Sequence, residues 1–224
     1  MTKVTVNKSA RQENDELAAV IRQRLAEHGV LTLNLVSSPG SGKTSLLERT
    51  VRDLSGELRL ATIVGDVQTE RDAERLREAG ALLVQPITTG GLCHLDARMV
   101  TAALERLDPE SLDILLIENV GNLVCPSSYD LGEDMKVVII SVTEGDDKPL
   151  KYPGMFRRSS LMVINKTDLL DHCDFEMDAV VTNARKVNGN IESLAVSCRS
   201  GEGLDSWYDW LRTQHERKRR KEPA

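Results

Sequence analysis

The chain has 224 residues, enough for one buried α/β core, and its net charge of −6 argues against a nucleic-acid binder that relies on a basic face. No apolar stretch approaches the roughly 20 residues that a membrane span needs, and the N-terminus lacks the apolar centre of a signal peptide. The four cysteines are too few for a disulfide scaffold, so we expect a cytosolic (cytoplasmic) protein whose thiols are free or bind a metal.

Short apolar runs alternate with stretches of helical periodicity along the chain. The predicted strands cover residues 31–36, 58–64, 81–87, 112–117, 135–142, 161–164 and 191–196. The predicted helices cover residues 13–28, 44–54, 69–79, 92–107, 175–187 and 204–214. This alternation predicts the α/β fold class, with a three-layer, doubly wound and mostly parallel sheet. In such folds the ligand lies beyond the carboxyl ends of the strands.

A Gly-rich loop follows the first predicted strand and leads directly into a helix. The segment SSPGSGKT at residues 37–44 fits the phosphate-loop (P-loop) pattern of NTPases, apart from Ser37 where that pattern has its first glycine. Backbone N–H groups and the helix dipole would face the phosphates, Lys43 would reach the β- and γ-phosphates, and Thr44 would hold Mg²⁺. The predicted nucleotide-binding residues here are Gly40, Ser41, Gly42, Lys43, Thr44 and Ser45. The alternative is an ordinary Gly/Ser turn before a helix.

The segment NKTD at residues 165–168 follows the sixth predicted strand and fits the N-K-x-D signature of guanine recognition. The Asp168 carboxylate can accept hydrogen bonds from guanine N1–H and N2–H₂, a donor pair that adenine does not present. The lysine of this segment would lie over the base, and its asparagine would join the segment to the phosphate loop. After the last predicted strand, Ser197 and Cys198 suit the loop in which a backbone N–H meets the base oxygen. The predicted base-binding residues, which favour GTP over ATP, are Asn165, Lys166, Asp168, Ser197 and Cys198.

Two acidic residues end other predicted strands and would lie near the γ-phosphate. Glu118 begins the segment ENVG where G proteins carry D-x-x-G, so its carboxylate would hold Mg²⁺ and the Gly121 N–H would bond the γ-phosphate. Asp66 could bind the same Mg²⁺ or orient the attacking water, and the alternative is an N-cap of the following helix. Together with Lys43, these acids form the predicted catalytic set. No glutamine placed to position water and no arginine finger is evident, so slow intrinsic hydrolysis is predicted.

Two cysteines and a histidine fall close to the predicted nucleotide site. Cys93 and His94 are adjacent, and Cys125 follows the ENVG segment. A thiolate–imidazole–thiolate set suits Zn²⁺ or Ni²⁺ and leaves a coordination position for water or for a second copy of the chain. Because Cys125 lies on the segment expected to respond to the γ-phosphate, GTP hydrolysis would affect a metal held there. The alternative is a buried thiol beside a helix-start histidine, and we interpret His172 and Cys173 as surface residues.

Several longer segments resemble the hydrogenase nickel-incorporation GTPases, the HypB family. They are SSPGSGKT (37–44), GDVQTERDAERL (65–76), CHLDARMV (93–100), IENVGNLVCPSSYDLG (117–132) and NKTDL (165–169), and Ser37 matches this family. The resemblance runs over about residues 10–212, and the CHLDA and IENVGNLVCP pieces are specific to the family. It implies a GTP-dependent homodimer whose metal site is Cys93, His94 and Cys125. It also implies the passage of nickel, with a hydrogenase maturation partner, towards the large subunit of a [NiFe]-hydrogenase.

The N-terminus departs from those family members that carry a Cys-rich or His-rich nickel motif there. Residues 1–30 contain no cysteine and only His28, so a second nickel site and nickel storage are not predicted, and a separate partner is expected to supply the metal. We expect an N-terminal extension and helix over 1–30, a P-loop GTPase domain over 31–214 and a basic tail over 215–224. The charges of the tail are typical of a solvated, frayed helix end.

Three alternative functions fit parts of these patterns. A urease accessory GTPase shares the nucleotide site, but its metal motif differs from CHLDA and NVGNLVCP. A metal-buffering protein with a structural nucleotide site would bind Zn²⁺ or Ni²⁺ equally with or without GTP, and a P-loop small-molecule kinase would not need the guanine signature. The main prediction is a GTP-hydrolysing metallochaperone that aids nickel insertion, with GTP, Mg²⁺, and Ni²⁺ and/or Zn²⁺ as its ligands.

Overall fold

The computed structural model describes the backbone of residues 2–220 and the side chains of residues 10–220. The strands are β1 (Leu31–Ser37), β2 (Leu60–Asp66), β3 (Leu83–Thr88), β4 (Ile114–Glu118), β5 (Met135–Ser141), β6 (Ser159–Asn165) and β7 (Glu192–Ala195). The helices are α1 (Thr2–Glu27), α2 (Lys43–Leu54), α3 (Arg71–Glu78), α4 (Ala97–Leu104), α5 (Lys148–Lys151), α6 (Pro153–Arg158), α7 (Met177–Val187) and α8 (Leu204–Arg220). The short helices α5 and α6 were not predicted, because each spans less than two turns.

The strands form one seven-stranded sheet in the order β3-β2-β4-β1-β5-β6-β7. All of the strand pairings are parallel, so the predicted doubly wound sheet is confirmed. The apolar run of β1 lies at the centre of the sheet, and each of its residues is buried. Strand order reverses on either side of β1, and in such sheets the crevice at the reversal is the ligand site.

Helices cover both faces of this sheet and give the predicted three layers. On one face, Leu47 of α2 and Trp207 of α8 belong to a buried apolar cluster that includes Leu31, Leu33 and Leu35 of β1. On the other face, Leu25 of α1 packs with α4, and Phe156 of α6 packs with α7. Among residues 2–220, none of the helices combines the length and apolar character that crossing a bilayer requires.

The prediction of a helix over 92–107 is wrong at its start. The α4 helix begins only at Ala97, where the Asp96 side chain accepts a hydrogen bond from the Met99 N–H at 2.8 Å. Before this cap, Gly91 has a φ of +106°, which interrupts helical geometry. As a result, Cys93 and His94 lie in a loop between β3 and α4 and not on a helix.

The last helix continues beyond its predicted end at Gln214 as far as Arg220. The expected frayed helix end is therefore corrected for this part of the tail, and residues 221–224 lie outside the described residues. His215 is buried and the Lys218 ammonium lies 2.6 Å from an Asp134 carboxylate oxygen, which together tie the helix to the rest of the fold.

Candidate nucleotide and metal site

Two cavities lie at the carboxyl edge of the sheet. The larger has a volume of about 570 Å³ and is lined by, among others, Gly40, Lys43, Thr44, Asp66, Glu118 and Gly121. The smaller has a volume of about 420 Å³ and is lined by, among others, Asn165, Asp168, Leu169, Cys198 and Arg199. Gly42, Ser45 and Lys166 belong to the walls of both cavities. The phosphate loop and the guanine signature, which are more than 120 residues apart in the chain, are thus brought to one continuous site.

The phosphate loop is joined to the guanine signature by one side chain. The Asn165 side-chain amide donates a hydrogen bond to the backbone carbonyl of Ser41 at 2.9 Å. Gly42 has a φ of +100°, and a Cβ at this position would collide with the same amide. The glycine is therefore required both by its backbone conformation and by the close approach of Asn165.

The Lys43 side chain is buried in the loop, and its ammonium donates to the Ser37 hydroxyl at 2.9 Å. Burial lowers the pKa of Lys43, although the nearby Glu118 carboxylate acts in the opposite direction. Ser37, which departs from the general P-loop pattern, thus gives this lysine a partner when no phosphate is bound.

Glu118 is the most strongly perturbed acid of the site. It is fully buried, and desolvation raises its pKa to about 7. The Thr44 hydroxyl donates to its Oε1 at 2.7 Å, whereas its Oε2 has no hydrogen-bond partner among the described residues. A hydroxyl and a carboxylate with a free oxygen are hard oxygen ligands, and this pair fits Mg²⁺. Gly121 lies in the same wall, where a Cβ would come within 3.1 Å of the Pro39 Cα.

Asp66 lies at the end of β2 in the wall of the larger cavity. Its carboxylate accepts a hydrogen bond from the Thr69 hydroxyl at 2.7 Å and stabilises the turn that follows the strand. The N-cap of α3 is Glu70, so the alternative interpretation of Asp66 as that N-cap is wrong. The structure places Asp66 close to the phosphate loop, and its role towards water or Mg²⁺ stays a prediction.

Sequence reasoning missed a cation in this cavity, Arg75 of α3. Its guanidinium contacts the Glu48 carboxylate at 2.9 Å, the Asp72 carboxylate at 3.2 Å and the Ser45 hydroxyl at 3.2 Å. Ser45 is thus held by α3 as well as facing the cavities. No local pattern marks Arg75, because two of its partners, Glu48 and Ser45, lie on α2 and its position depends on the packing of α3 against α2.

A second missed pair lies on the other side of the phosphate loop. Glu144 accepts a short hydrogen bond from the Ser41 hydroxyl, and Lys148 lies 3.0 Å from the same carboxylate. Lys148 also donates to the Ser38 hydroxyl at 3.1 Å. The segment after β5 therefore supports the phosphate loop through Glu144 and Lys148. The sequence did not indicate this contact, because both residues lie in a polar stretch without a recognisable motif.

The predicted guanine-binding residues form a connected group. The Ser197 hydroxyl donates to Asp168 Oδ1 at 2.5 Å, which leaves Asp168 Oδ2 to accept a further bond. The Cys198 N–H donates to Asn165 Oδ1 at 3.2 Å, so a base oxygen would share or replace that bond. Burial raises the pKa of the Cys198 thiol to about 11, which keeps it neutral.

Two basic residues shape the same pocket. Lys166 is the one non-glycine residue among residues 2–220 with a positive φ, +65°, and it lines both cavities, as expected for a side chain lying over the base. Arg49 of α2, which was not predicted, donates to the backbone carbonyls of Cys198 at 2.9 Å and Arg199 at 3.1 Å. The phosphate-loop helix therefore also holds the last guanine loop.

The three predicted metal ligands lie together. The potential donor atoms of Cys93, His94 and Cys125 all lie within 4.8 Å of one another. Cys93 is exposed and precedes α4 by several residues, so the alternative of a buried thiol beside a helix-start histidine is wrong. Two thiols and an imidazole suit Ni²⁺ or Zn²⁺. His172 and Cys173 do not belong to a three-ligand group within the described residues.

The surroundings of His94 and Cys93 affect the position of the imidazole and the protonation of both side chains. The His94 imidazole packs against the Tyr129 ring, with centroids 3.9 Å apart and ring planes tilted by 30°. Partial burial lowers the pKa of His94, which favours the neutral imidazole that binds metals. A hydrogen bond with Cys125 raises the pKa of the Cys93 thiol, so metal binding has to displace a proton from this pair.

Comparisons with known proteins agree with this arrangement. A family model described as "CobW/HypB/UreG, nucleotide-binding domain" matches residues 31–195. The hydrogenase maturation factor HypB of Rhizobium leguminosarum bv. viciae is 54% identical over 208 residues, which are 93% of this chain and 69% of that protein. The HypB of Escherichia coli K12 is 52% identical over 202 residues, which are 90% of this chain and 69% of that protein.

A solved structure, HypB from Helicobacter pylori in complex with nickel, matches with a TM-score of 0.87 and 38% identity over 95% of this chain and 99% of that chain. The chain spans roughly two thirds of the length of the bacterial relatives named above. The family match covers most of the chain and includes the phosphate loop, the ligands of the candidate metal site and the guanine signature. The chain therefore belongs to the CobW/HypB/UreG family of nucleotide-binding proteins and, within it, to HypB.

Proposed function

We propose that this protein is a GTP-hydrolysing nickel metallochaperone whose nucleotide state controls its metal site. One observation carries the proposal: Glu118 ends β4 beside the phosphate loop, and the segment that follows it brings Cys125 beside Cys93 and His94. A movement of this segment when the γ-phosphate is lost would change the position of one thiol relative to the other ligands. Relatives at 52% and 54% identity are named hydrogenase maturation factors, which supports nickel delivery to the large subunit of a [NiFe]-hydrogenase.

The proposed nucleotide is GTP because the base pocket presents an acceptor where guanine has donors. Asp168 is positioned by Ser197 and retains an oxygen that can accept from guanine N1–H or N2–H₂. Adenine offers no such donor pair on that edge. The Cys198 N–H lies at the mouth of the pocket and can meet the guanine oxygen by giving up its bond to Asn165.

In the proposed hydrolysis, water attacks the γ-phosphorus and the bond to the β–γ bridging oxygen breaks, so that GDP and inorganic phosphate leave. Lys43 would offset the charge of the phosphates, and Asp66 would orient the water. Thr44 and Glu118 would hold Mg²⁺, which supplies further charge neutralisation when bound. Arg75 is held by two carboxylates, which opposes its use as an arginine finger and is consistent with slow intrinsic turnover.

The proposal includes a homodimer in the GTP state. Three protein donors leave at least one position of a four-coordinate metal open, and a second copy of the chain can fill it. Nickel would arrive from a separate hydrogenase maturation partner. Zn²⁺ competes for the same donors, because thiolates and imidazole bind both ions.

Titration of Ni²⁺ and Zn²⁺ into the protein, with GDP and with a non-hydrolysable GTP analogue, tests this proposal while light scattering follows the mass. We expect metal affinity and the dimer fraction to change together with the nucleotide, and Cys93→Ala to abolish the change. Cys173→Ala is the matched control, because this thiol lies outside the metal group.

Metal binding that ignores the nucleotide would contradict the metallochaperone function and support the metal-buffering alternative. Binding that survives Cys93→Ala would place the relevant metal site elsewhere. A Helicobacter pylori relative, 41% identical, is named a hydrogenase/urease maturation factor, so urease is the second candidate acceptor. Transfer of nickel to apo-urease but not to an apo-hydrogenase large subunit would favour the urease-type accessory function.

A further inference from the structure

A chain of buried polar side chains runs beneath the segment that follows β4. Asn119, directly after Glu118, is 1% exposed, and its amide donates to Asn34 Oδ1 at 3.2 Å. Asn34, in the middle of β1 and 0% exposed, donates in turn to the Glu133 carboxylate at 3.2 Å. Glu133 forms a short ion pair with Lys136, and both are buried. A polar chain therefore crosses the central strands inside an otherwise apolar layer.

Both ends of this chain reach the residues around His94. At one end, Asn119 Oδ1 accepts a hydrogen bond from the backbone N–H of Leu95 at 3.1 Å. At the other end, the Lys136 ammonium donates to the backbone carbonyl of Tyr129 at 2.9 Å, and the Tyr129 ring packs against His94. The metal-binding loop is thus held from two sides by one network.

A third buried asparagine connects the same two loops. Asn14 of α1 accepts from the Ala97 N–H at 2.9 Å and donates to the Asp130 carbonyl at 2.9 Å. It therefore links the start of α4, just after the metal-binding loop, to the residue that follows Tyr129. The loops on either side of His94 cannot separate without breaking bonds to this network.

Buried polar chains of this kind are costly unless each member is satisfied, and apolar residues of similar size are often as stable. Stability alone therefore does not explain why positions 34 and 119 carry asparagine. Their placement suggests a function, because Asn119 is bonded to Glu118 through the backbone and accepts a hydrogen bond from the residue after His94. A shift of Glu118 that accompanies Mg²⁺ or nucleotide binding has to be transmitted to Leu95 or break this bond.

We propose that Asn119 and Asn34 are positioning residues that set the orientation of His94 and transmit the nucleotide state to the metal site. The inference rests on the proposed function, because it names the path by which the nucleotide acts on the metal. Neither side chain is a metal ligand. Asn34 lies in the middle of β1; it is not itself a lining residue of the phosphate cavity and reaches that cavity only through its hydrogen bond with Asn119.

The test compares Asn119→Ala and Asn34→Ala with Asn188→Ala. Asn188 is the control, since its amide likewise donates hydrogen bonds within the fold, in this case to the backbone carbonyls of Phe156 and Ser159, but at the opposite edge of the sheet. Each protein is titrated with Ni²⁺ in the presence of GDP and of the GTP analogue. We expect the wild-type ratio of the two affinities to fall towards 1 in the Asn34 and Asn119 variants and to persist in Asn188→Ala. We also expect Ni²⁺ affinity to fall about tenfold, as for the loss of other groups that orient a metal ligand.

The outcomes separate the two proposals. An Asn34→Ala variant that keeps the wild-type ratio would overturn the network and leave the metallochaperone function intact. A wild-type protein without any nucleotide dependence would overturn both. Thermal unfolding of the three variants shows whether a lost ratio merely follows lost stability, in which case an equally destabilised Asn188→Ala would lose it too and contradict the proposal.

A measurement on the unaltered protein does not depend on the folding of variants. In ¹⁵N-asparagine-labelled protein, the side-chain amide resonance of Asn34 should shift on addition of Zn²⁺ alone and, separately, on exchange of GDP for the analogue. The Asn188 resonance should stay in place. A resonance of Asn34 that responds to neither ligand, or to one alone, would overturn transmission through this side chain.

Discussion

The guanine end of the site (residues 165–169 and 197–199) and its switch end (residues 118–125) are built in opposite ways. At the guanine end the recognition groups already have protein partners, such as the Ser197 hydroxyl on Asp168 and the Asn165 amide on the phosphate loop. At the switch end the buried Glu118 has an oxygen without a partner among the described residues, and Cys125 lies next to an exposed thiol. Under the proposed function, the contrast teaches that base choice is set before the ligand arrives, whereas the switch end would be completed by its ligands.

The largest expected effect is at the guanine end, in Asp168→Asn. An amide offers one acceptor and one donor, so it no longer matches two guanine donors, and a site left with unpaired polar groups discriminates strongly. We expect GDP affinity to fall by about 10³-fold and xanthosine diphosphate, which pairs a donor with an acceptor, to bind better than GDP. Competition binding with GDP, XDP and ADP measures this, and unchanged GDP affinity would show that the base lies elsewhere.

The second effect is a pH dependence at the switch end. Desolvation raises the pKa of Glu118 from 4.5 to about 7, so the folded protein retains a proton in this range that the unfolded chain has released. The unfolded state then binds fewer protons, and stability falls as pH rises from 4.5 to 7, by about 3 kcal/mol from this group. Urea unfolding of nucleotide-free wild type and Glu118→Gln checks this. A difference between the two proteins that stays constant with pH would contradict the burial of an unpaired carboxyl.

The third effect concerns the joint between the two ends. Gly42→Ala places a Cβ against the Asn165 amide, whereas Gly40→Ala, also at a positive φ, meets nothing within 4 Å. Both variants are expected to lose about 1 kcal/mol through backbone strain. Gly42→Ala should lose about 2 kcal/mol more, because the bond from Asn165 to Ser41 also breaks. If Gly42→Ala and Gly40→Ala lose the same unfolding free energy and the same GDP affinity, the contact between Asn165 and the phosphate loop is unimportant.

The smallest effect tests the unpredicted clamp on the last guanine loop. Arg49→Ala removes two hydrogen bonds to the backbone carbonyls of that loop, which should weaken GDP binding about fivefold, or by about 1 kcal/mol. Arg52→Ala is the control, because it removes the same charge from the same pocket wall. Isothermal titration with GDP measures both, and a similar loss in the two variants would indicate a general electrostatic contribution.

The fold could be predicted well, because its pattern is local. Strand β5 contains a continuous apolar run over residues 137–140, and buried parallel strands need no alternation. The start of α4 was missed, since the apolar spacing of residues 92–107 resembles a helix although Gly91 and the Asp96 cap delay it. The spacing of apolar residues indicates which side chains are buried, but it does not indicate where the first hydrogen-bonded turn of a helix begins.

By itself the sequence determined the alternating α/β fold and pointed to the phosphate loop, the guanine signature and the ligands of the candidate metal site. Each of these depends on a few neighbouring residues at the end of a strand, so the local pattern carries the chemistry. Only the tertiary structure decided that Arg49 and Arg75 reach the pocket and that Asn34 lies between Asn119 and Glu133. Those contacts join residues 30 to 149 positions apart, and they exist because the strand order brings β1, β4 and β5 side by side and packs the helices against them.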